Sequence, residues 1–296
     1  MLATLKPFET DRRVSKLQVV PAQNHPAGGA NDVAQPFATP SWHEAGPVWQ
    51  RILSEAQDLA RTEPAMGPMM KAGILDHDTL GGAIAYGVSQ KLADRTMPGC
   101  TLQDICHQVY QADAGLERAS CADLLAAQDR DPACTCLLQP ILFFKGFIAL
   151  QAHRLAHFLW HNGRRELALH IQSRVSEVFT IDIHPAARIG QGVMLDHAHS
   201  VVIGETAIVG DNVSILHSVT LGGTGKEDKD RHPKVGDDVM IGAGATILGN
   251  IKIANKARIA AGSVVLKDVE KGDTVAGVPA KPVFSERDAI AGSLSG

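Results

Sequence analysis

In the stretch IGQGVMLDHAHSVVIGETAIVGDNVSILHSVTLGG, residues 189–223, an aliphatic residue returns every six positions, and this decides the fold. The beat falls on Ile189 and Leu195, then on Ile203, Val209, Ile215 and Leu221; after a gap it resumes on Val235, Ile241, Ile247, Ile253, Ile259 and Val265. The residue after the beat is usually small, as at Gly190, Gly204, Gly210, Gly236, Gly242, Ala254 and Ala260. Four positions after it comes another small or β-branched residue: Val193, Ala207, Val213, Val219, Val239, Ala245, Ile251 and Ala257. Neither the 3.6-residue period of a helix nor strand alternation produces this pattern. A hexapeptide repeat is the signature of a parallel β-helix, in which each unit makes one flat face and the beat residue points into the core.

The beat fails twice. Leu195 to Ile203 is a step of eight, around DHAHS, and Leu221 to Val235 is a step of fourteen, around GGTGKEDKDRHPK. A coil can extrude a loop at a corner without losing its core, and function collects on such loops.

Working outward, residues 1–43 are rich in Pro, Gly, Ala, Asn and Gln without an apolar period and read as a flexible extension. Residues 44–180 read as a helical domain. Val48, Ile52, Ala56 and Leu59 recur at helical spacing before a break at Pro64, and further helices are expected over Leu80–Leu92, Leu102–Tyr110 and Ala114–Gln128. A longer pair follows, Pro140–His161 and Arg165–Val178, with Asn162-Gly163 as the stop between them. Residues 181–283 read as the β-helix and 284–296 as a short flexible tail. The fold class is therefore α+β, helical domain first.

Composition narrows the function. At 45% hydrophobic residues the chain has ample material for packed cores, and a formal net charge of −4 without a Lys/Arg-rich tract argues against nucleic-acid and anionic-membrane partners. The longest apolar stretch, Leu137–Leu150, contains Gln139, Pro140 and Lys145 and is too short and polar to span a bilayer. The N-terminus lacks a basic segment followed by an apolar one, and the five cysteines (Cys100, Cys106, Cys121, Cys134, Cys136) form no CxxC pair. Ordinary reduced thiols and a cytoplasmic location are expected.

Four polar clusters stand at the repeats: Asp182-Ile-His184-Pro185, Asp196-His197-Ala-His199, His217 and Asp230-Arg231-His232-Pro233. His197 lies in the first irregular step, beside Asp196 and fifteen positions after Asp182. With a coil of roughly eighteen residues, that spacing puts Asp182 and His197 on nearby corners of successive turns. A carboxylate on one imidazole nitrogen would fix the tautomer and leave the other as a general base. Arg231, followed by His232 and a stiffening Pro233, suits a carboxylate ligand, since a guanidinium offers two parallel donors. The blander reading of that loop is a solvated charged turn. His184, His197, His199, His217 and His232 together also raise a zinc site of the carbonic anhydrase type.

The stretch from DIHPAARIG through LDHA to GGTGKEDKDRHPK closely resembles the serine O-acetyltransferases, and RDPACTCLLQPILFFKGFIALQAHRLAHFLWHNGRREL resembles the last helices of that family's N-terminal domain. The resemblance covers about residues 44 to 283. It implies a left-handed β-helix and direct acetyl transfer from acetyl-CoA to L-serine without a metal. It implies His197 as the base, Asp182 orienting it, Asp131 and Asp196 at the substrate ammonium, and Arg231 and His232 at its carboxylate. Gly222, Gly223, Thr224, Ala243 and Ala261 match the family's pantetheine groove; small residues also simply fit β-helix corners.

It further implies a homotrimer with active sites between subunits, a hexamer through the helical domain, and feedback inhibition by L-cysteine. Many members dock O-acetylserine sulfhydrylase through a terminal isoleucine; this sequence ends Ser293-Leu294-Ser295-Gly296, with Ile290 six residues earlier, which argues against that docking. The alternatives are an acetyltransferase of the same fold acting on homoserine or a sugar, a zinc carbonic anhydrase, and a catalytically dead scaffold.

Overall fold

The computed structural model describes residues 45–226 and 228–284. The extension expected over residues 1–43 and the tail beyond residue 284, with the C-terminal docking segment, lie outside them.

The first part is helical: α1 (Ala45–Thr62), α2 (Gly67–Met70), α3 (Leu80–Leu92), α4 (Gly99–Ala112), α5 (Ala114–Arg130), α6 (Leu138–Phe143), α7 (Lys145–His161) and α8 (Arg165–Phe179). Trp49, Ile52 and Ala56 make the buried stripe of α1, at the three- and four-residue spacing of one helix face. Thr79 caps α3 by accepting from the Gly82 amide at 3.1 Å, and Asp113 caps α5 through Gly115 at 2.7 Å. The single helix expected over Pro140–His161 is two. Phe144 is extended (φ −87°, ψ 102°), which ends α6 and lets α7 start in a new direction. Just beyond the break, a Cβ on Gly146 would lie 2.1 Å from the Leu195 carbonyl oxygen, so α7 begins hard against the repeat region.

The second part is a three-sided coil. Its strands are β1 (Ile181–Ile183), β2 (Arg188–Ile189), β3 (Met194–Leu195), β4 (Val201–Ile203), β5 (Ile208–Val209), β6 (Ser214–Ile215), β7 (Thr220–Gly222), β8 (Lys234–Val235), β9 (Met240–Ile241), β10 (Thr246–Leu248), β11 (Lys252–Ile253), β12 (Arg258–Ile259), β13 (Val264–Val265), β14 (Thr274–Gly277) and β15 (Ala280–Phe284). They form three faces: β1-β4-β7-β10-β13, then β2-β5-β8-β11, then β3-β6-β9-β12-β14-β15. Every pairing is parallel except the closing β14–β15 hairpin. The beat residues stack: Ile203 on Leu221, Leu221 on Ile247, Ile247 on Val265. All are buried, as are Val209, Ile215, Val235, Ile241, Ile253 and Ile259.

The register accounts for both irregular steps. A regular coil advances eighteen positions, as from Val235 to Ile253. The coil containing DHAHS advances twenty, from Ile183 to Ile203, and the one containing the long loop advances twenty-six, from Leu221 to Ile247. The extra residues leave the core stack untouched.

The first coil is an open edge, because its carbonyls have no preceding coil to accept from. Helix α7 takes that place with side chains. Arg154 donates to the Gly190 carbonyl at 2.7 Å and lies 3.4 Å from that of Ile189. His157 Nδ1 meets the Pro185 carbonyl at 2.8 Å, and His153 bonds the backbone of Ala187.

The cysteines are free thiols, and burial pushes Cys106 and Cys121 up to about 12, which makes them inert. Among the described residues no helix is long and apolar enough to cross a membrane.

Candidate active site

The sequence-derived site residues fall into two groups, one at each end of the face β1-β4-β7-β10-β13. At the corner that leads into this face lie Asp196, His197, His199 and His217. The eight-residue step folds into an unusual loop there. His197 (φ 52°), Ala198 (φ 54°) and Ser200 (φ 57°) all occupy the left-handed region, which costs L-residues about a kcal/mol or more each. The result lifts the His197 ring off the coil: its side chain is 77% exposed, with Nε2 3.9 Å from Asp196 Oδ1 and the ring 6.3 Å from that of His217.

A cavity of about 420 Å³ opens beside this loop, lined by Asp131, Asp196 and His197 together with Asp123, Lys145 and the aromatic rings of Phe143, Phe144 and Phe147. Asp131 comes from the helical part. It ends α5, and its Oδ1 accepts from the Ala133 amide at 2.8 Å, which fixes the turn. The structure thus brings Asp131, Asp196 and His197, far apart in sequence, to one cavity. Ala243 and Ala261 follow His217 down the same corner, linked by backbone bonds from Gly244 N to the His217 carbonyl and from Gly262 N to the Ala243 carbonyl.

At the other end of the face lie His184, Arg231, His232 and the run Gly222-Gly223-Thr224. The long loop is tied to the previous coil through Thr206, whose hydroxyl oxygen accepts from the backbone amides of Arg231 and His232, each at 3.1 Å. The His232 side chain is buried. Its Nδ1 accepts from the Thr206 amide at 3.2 Å, so Nε2 carries the proton and is the free donor. The ring packs against Gly204, where a Cβ would lie 2.0 Å from Nε2 and 2.1 Å from Cδ2; the missing side chain makes room for the ring itself. Burial, followed by the charges of Arg231 and Lys234, lowers the His232 pKa, so the ring is neutral at pH 7. His184 has the same arrangement, with Nδ1 accepting from the Ala186 amide at 3.1 Å and its pKa lowered by burial.

Arg231 is only partly free. Its Nη2 donates to Glu205 Oε2 at 2.6 Å and its Nη1 to the carbonyls of Asp228 and Lys229. The Arg231 hydrogen bond holds the Glu205 carboxyl below its usual value. Lys234 completes the corner by donating to Asp230 Oδ1 at 2.6 Å and to the Thr206 carbonyl at 3.0 Å.

One expectation comes out differently, and one alternative lacks its geometry. Asp182 is not bonded to His197: it sits mid-face on β1, in register with Val202, and its Oδ1 accepts from Gln172 of α8 at 2.6 Å. His197 is on the raised loop at the corner, with Asp196 as its near carboxylate. The five histidines considered for zinc are also split between the two corners, and among the described residues no group of three or more metal-ligating side chains forms.

Several residues in the site escaped the sequence. Glu205 and Thr206 left a faint signal, two polar residues straight after a beat position. Asp123, Gln151 and Arg154 left another, as polar residues on helices that are otherwise apolar or buried.

Residues 48–152 match the family model described as serine acetyltransferase, N-terminal, and residues 232–267 match that of the bacterial transferase hexapeptide. Serine acetyltransferase 4 of Arabidopsis thaliana is 52% identical over 258 residues, 86% of this chain and 72% of the relative. A Neisseria gonorrhoeae serine acetyltransferase solved in complex with serine superposes with a TM-score of 0.78 at 51% identity, covering 79% of this chain and 97% of that one. A Brucella abortus serine acetyltransferase in complex with coenzyme A gives 0.79 at 46% identity, covering 81% and 96%. A serine acetyltransferase complex with cysteine gives 0.79 at 48% identity, covering 80% and 99%.

Proposed function

The chain belongs to the serine acetyltransferase family, and from that premise we propose that it transfers the acetyl group of acetyl-CoA to the side-chain hydroxyl of L-serine, giving O-acetyl-L-serine and CoA for cysteine biosynthesis. The observation that carries the reading is the cavity shared by His197, Asp131 and Asp196: one exposed imidazole beside two carboxylates suits a hydroxyl next to an ammonium group.

In this reading His197 takes the hydroxyl proton as the serine oxygen attacks the thioester carbonyl. The tetrahedral intermediate then expels the CoA sulfur, and the imidazolium returns the proton to it. A thioester is already activated, so a positioned base and proximity supply much of the acceleration. Asp131 and Asp196 hold the ammonium. Arg231 and the Nε2–H of His232 hold the carboxylate. Asp182 orients the His197 ring in the loaded enzyme, which requires it to exchange its Gln172 partner for the imidazole.

The two groups stand at opposite ends of one face, and an amino acid is too small to touch both. A second copy of the chain, presenting its Arg231 corner to the His197 corner of the first, completes the site. A homotrimer satisfies this for all three corners, with the helical region 44–180 pairing trimers into a hexamer and residues 181–283 catalysing. Gly222, Gly223 and Thr224 of one copy then meet Ala243 and Ala261 of the next, lining a groove for the pantetheine arm. L-Cysteine, which shares serine's ammonium and carboxylate, competes for the same contacts and acts as feedback inhibitor. No metal takes part, and the enzyme works in the cytoplasm.

The test is thiol release from acetyl-CoA with serine, homoserine and sugars as acceptors, comparing wild type with His197→Ala. Serine is the preferred acceptor, and loss of the base lowers the rate by about 10² to 10⁴. Preference for another hydroxyl, or an unchanged His197→Ala rate, overturns the reading.

A further inference from the structure

The loop that carries His197 stands at the open end of the coil. Strand β3, which leads into it, is two residues long and pairs on one side only, with β6. Three of the four residues from His197 to Ser200 hold left-handed backbone angles, a conformation that persists only where the surroundings enforce it. Within the repeats, Asp196 N donates to the Ile215 carbonyl and Ser218 N to the His199 carbonyl; the rest of the support lies outside them.

Asp123 of α5 is buried, and four donors converge on its carboxylate. Arg154 contributes Nε to Oδ2 and Nη2 to Oδ1, both at 2.9 Å; Gln151 contributes its amide to Oδ2 at 3.0 Å. The fourth is the backbone N–H of Val193, which donates to Oδ1 at 2.9 Å. Val193 precedes Met194-Leu195, and Asp196 and His197 follow directly. The Nη2 of Arg154 reaches on to the Gly190 carbonyl at 2.7 Å, so the ion pair grips the first coil at two points, one donor and one acceptor. Gln151 is oriented in turn by Ser120, whose hydroxyl donates to Oε1 at 2.7 Å. On the other side of the loop, Gly146 of α7 lies directly against the Leu195 carbonyl and the Ala198 side chain.

From this we infer that Asp123 and Arg154 are positioning residues for acetyl transfer, which hold the backbone of residues 189–195 so that Asp196 and His197 stand over the cavity. The helices are thereby part of the catalytic apparatus and not only an assembly domain. The inference rests on the reading of His197 as the base.

A buried pair that served stability alone would satisfy its lone pairs within the helical region. This one spends a carboxylate oxygen and a guanidinium nitrogen on the repeat backbone, three residues from Asp196. The carboxylate is the form these contacts suit, because all four groups bonded to it, from three residues, are donors; burial pushes the carboxyl upward and Arg154 opposes it. Breaking either partner leaves the other uncompensated, and the strained loop relaxes.

The test uses the full-length enzyme with three variants, Asp123→Asn, Arg154→Lys and Ile52→Ala, the last a core variant in α1 that lowers the melting temperature without touching the network. Each is assayed for kcat, for KM of serine and of acetyl-CoA, and for amide hydrogen exchange over residues 189–200. Asp123→Asn and Arg154→Lys are expected to lower kcat at least tenfold with KM for acetyl-CoA within about threefold. Exchange over 189–200 should rise while the later coils stay protected, and Ile52→Ala should keep wild-type kcat. Should Asp123→Asn fail to fold, Arg154→Lys, which keeps the charge and loses the fork, decides alone. Wild-type kcat in a folded Arg154→Lys enzyme overturns the inference, as does an equal loss of kcat in Ile52→Ala. His197→Ala separates the two levels: if that variant is fully active the base assignment has failed, and if it is inactive while Arg154→Lys is normal only the positioning role has.

Discussion

Gly204→Ala is the substitution that most directly probes the second half of the site. The added methyl would sit 2.0 Å from His232 Nε2 and 2.1 Å from its Cδ2, where real Cβ contacts stay beyond 3.0 Å. One of the two must move by about 1 Å or more, and Gly204 is fixed by its amide bonding the Leu221 carbonyl at 3.1 Å. The ring therefore moves, against the Thr206 amide and hydroxyl that hold Nδ1 at 3.2 and 2.9 Å. Losing two such bonds costs about 1–3 kcal/mol. Overpacking brings its own penalty of about 1–3 kcal/mol, although a ring that swings clear relieves much of it. A net loss of roughly 2–4 kcal/mol is expected, with the enzyme still folded. The effect on catalysis should be larger in proportion, because displacing the ring turns Nε2–H away from the substrate carboxylate. Losing one hydrogen bond to a carboxylate is worth about 1.5–3 kcal/mol, or roughly 10- to 150-fold in kcat/KM for serine. Thiol release at varied serine, with a melting curve on the same sample, measures both. Gly67→Ala is the control, since its backbone is helical (φ −50°, ψ −50°) and no atom lies within 4 Å; it should be neutral or slightly stabilising. A folded Gly204→Ala enzyme with wild-type kcat/KM for serine would refute the placement of His232 at the substrate.

Arg231→Lys should raise the KM for serine about tenfold with little change in kcat, because an ammonium lacks the planar fork of donors and the reach of the guanidinium; an unchanged KM would remove Arg231 from the carboxylate site. Stability should fall with acid through the His153 and His157 pair. Both pKa values are lowered by burial, so the unfolded chain takes up protons near pH 6.5 while the folded chain still refuses them, and their contribution is present above that pH and lost as pH falls toward the folded values. The slope of unfolding free energy between pH 7 and 5 should flatten in His153→Phe, and an identical slope would discard the assignment. Exhaustive chelation should leave acetyl transfer unaltered; recovery of lost activity by zinc alone would reopen the metal reading.

The β-helix was legible because its geometry writes one constraint into every sixth position: each face must send one residue inward, and twelve beat residues repeat that demand. Even the insertions could be read, as steps of eight and fourteen that become coils of twenty and twenty-six with the core stack intact. Residue types that carry chemistry also survived, since an imidazole or guanidinium in a broken rung stands out against aliphatic neighbours. What the period does not encode is the partner of each such residue. The spacing of fifteen between Asp182 and His197 promised a contact, yet the two extra residues in that coil lift His197 onto a raised corner loop while β1 keeps Asp182 in mid-face, within reach of Gln172. The helix expected over Pro140–His161 divides at Phe144 beside another long-range contact, that of Gly146 with the Leu195 carbonyl, which no local pattern records. The supports of the site are all of this long-range kind, Asp123 on Val193, Arg154 on Gly190 and Thr206 on Arg231 and His232. If they are what aims the functional side chains, the repeats alone should fold and remain poor catalysts. The sharpest expression of that claim is that Arg154→Lys, distant in sequence from every residue proposed to touch substrate, should slow the reaction more than any conservative change in a regular rung such as Ile253→Val.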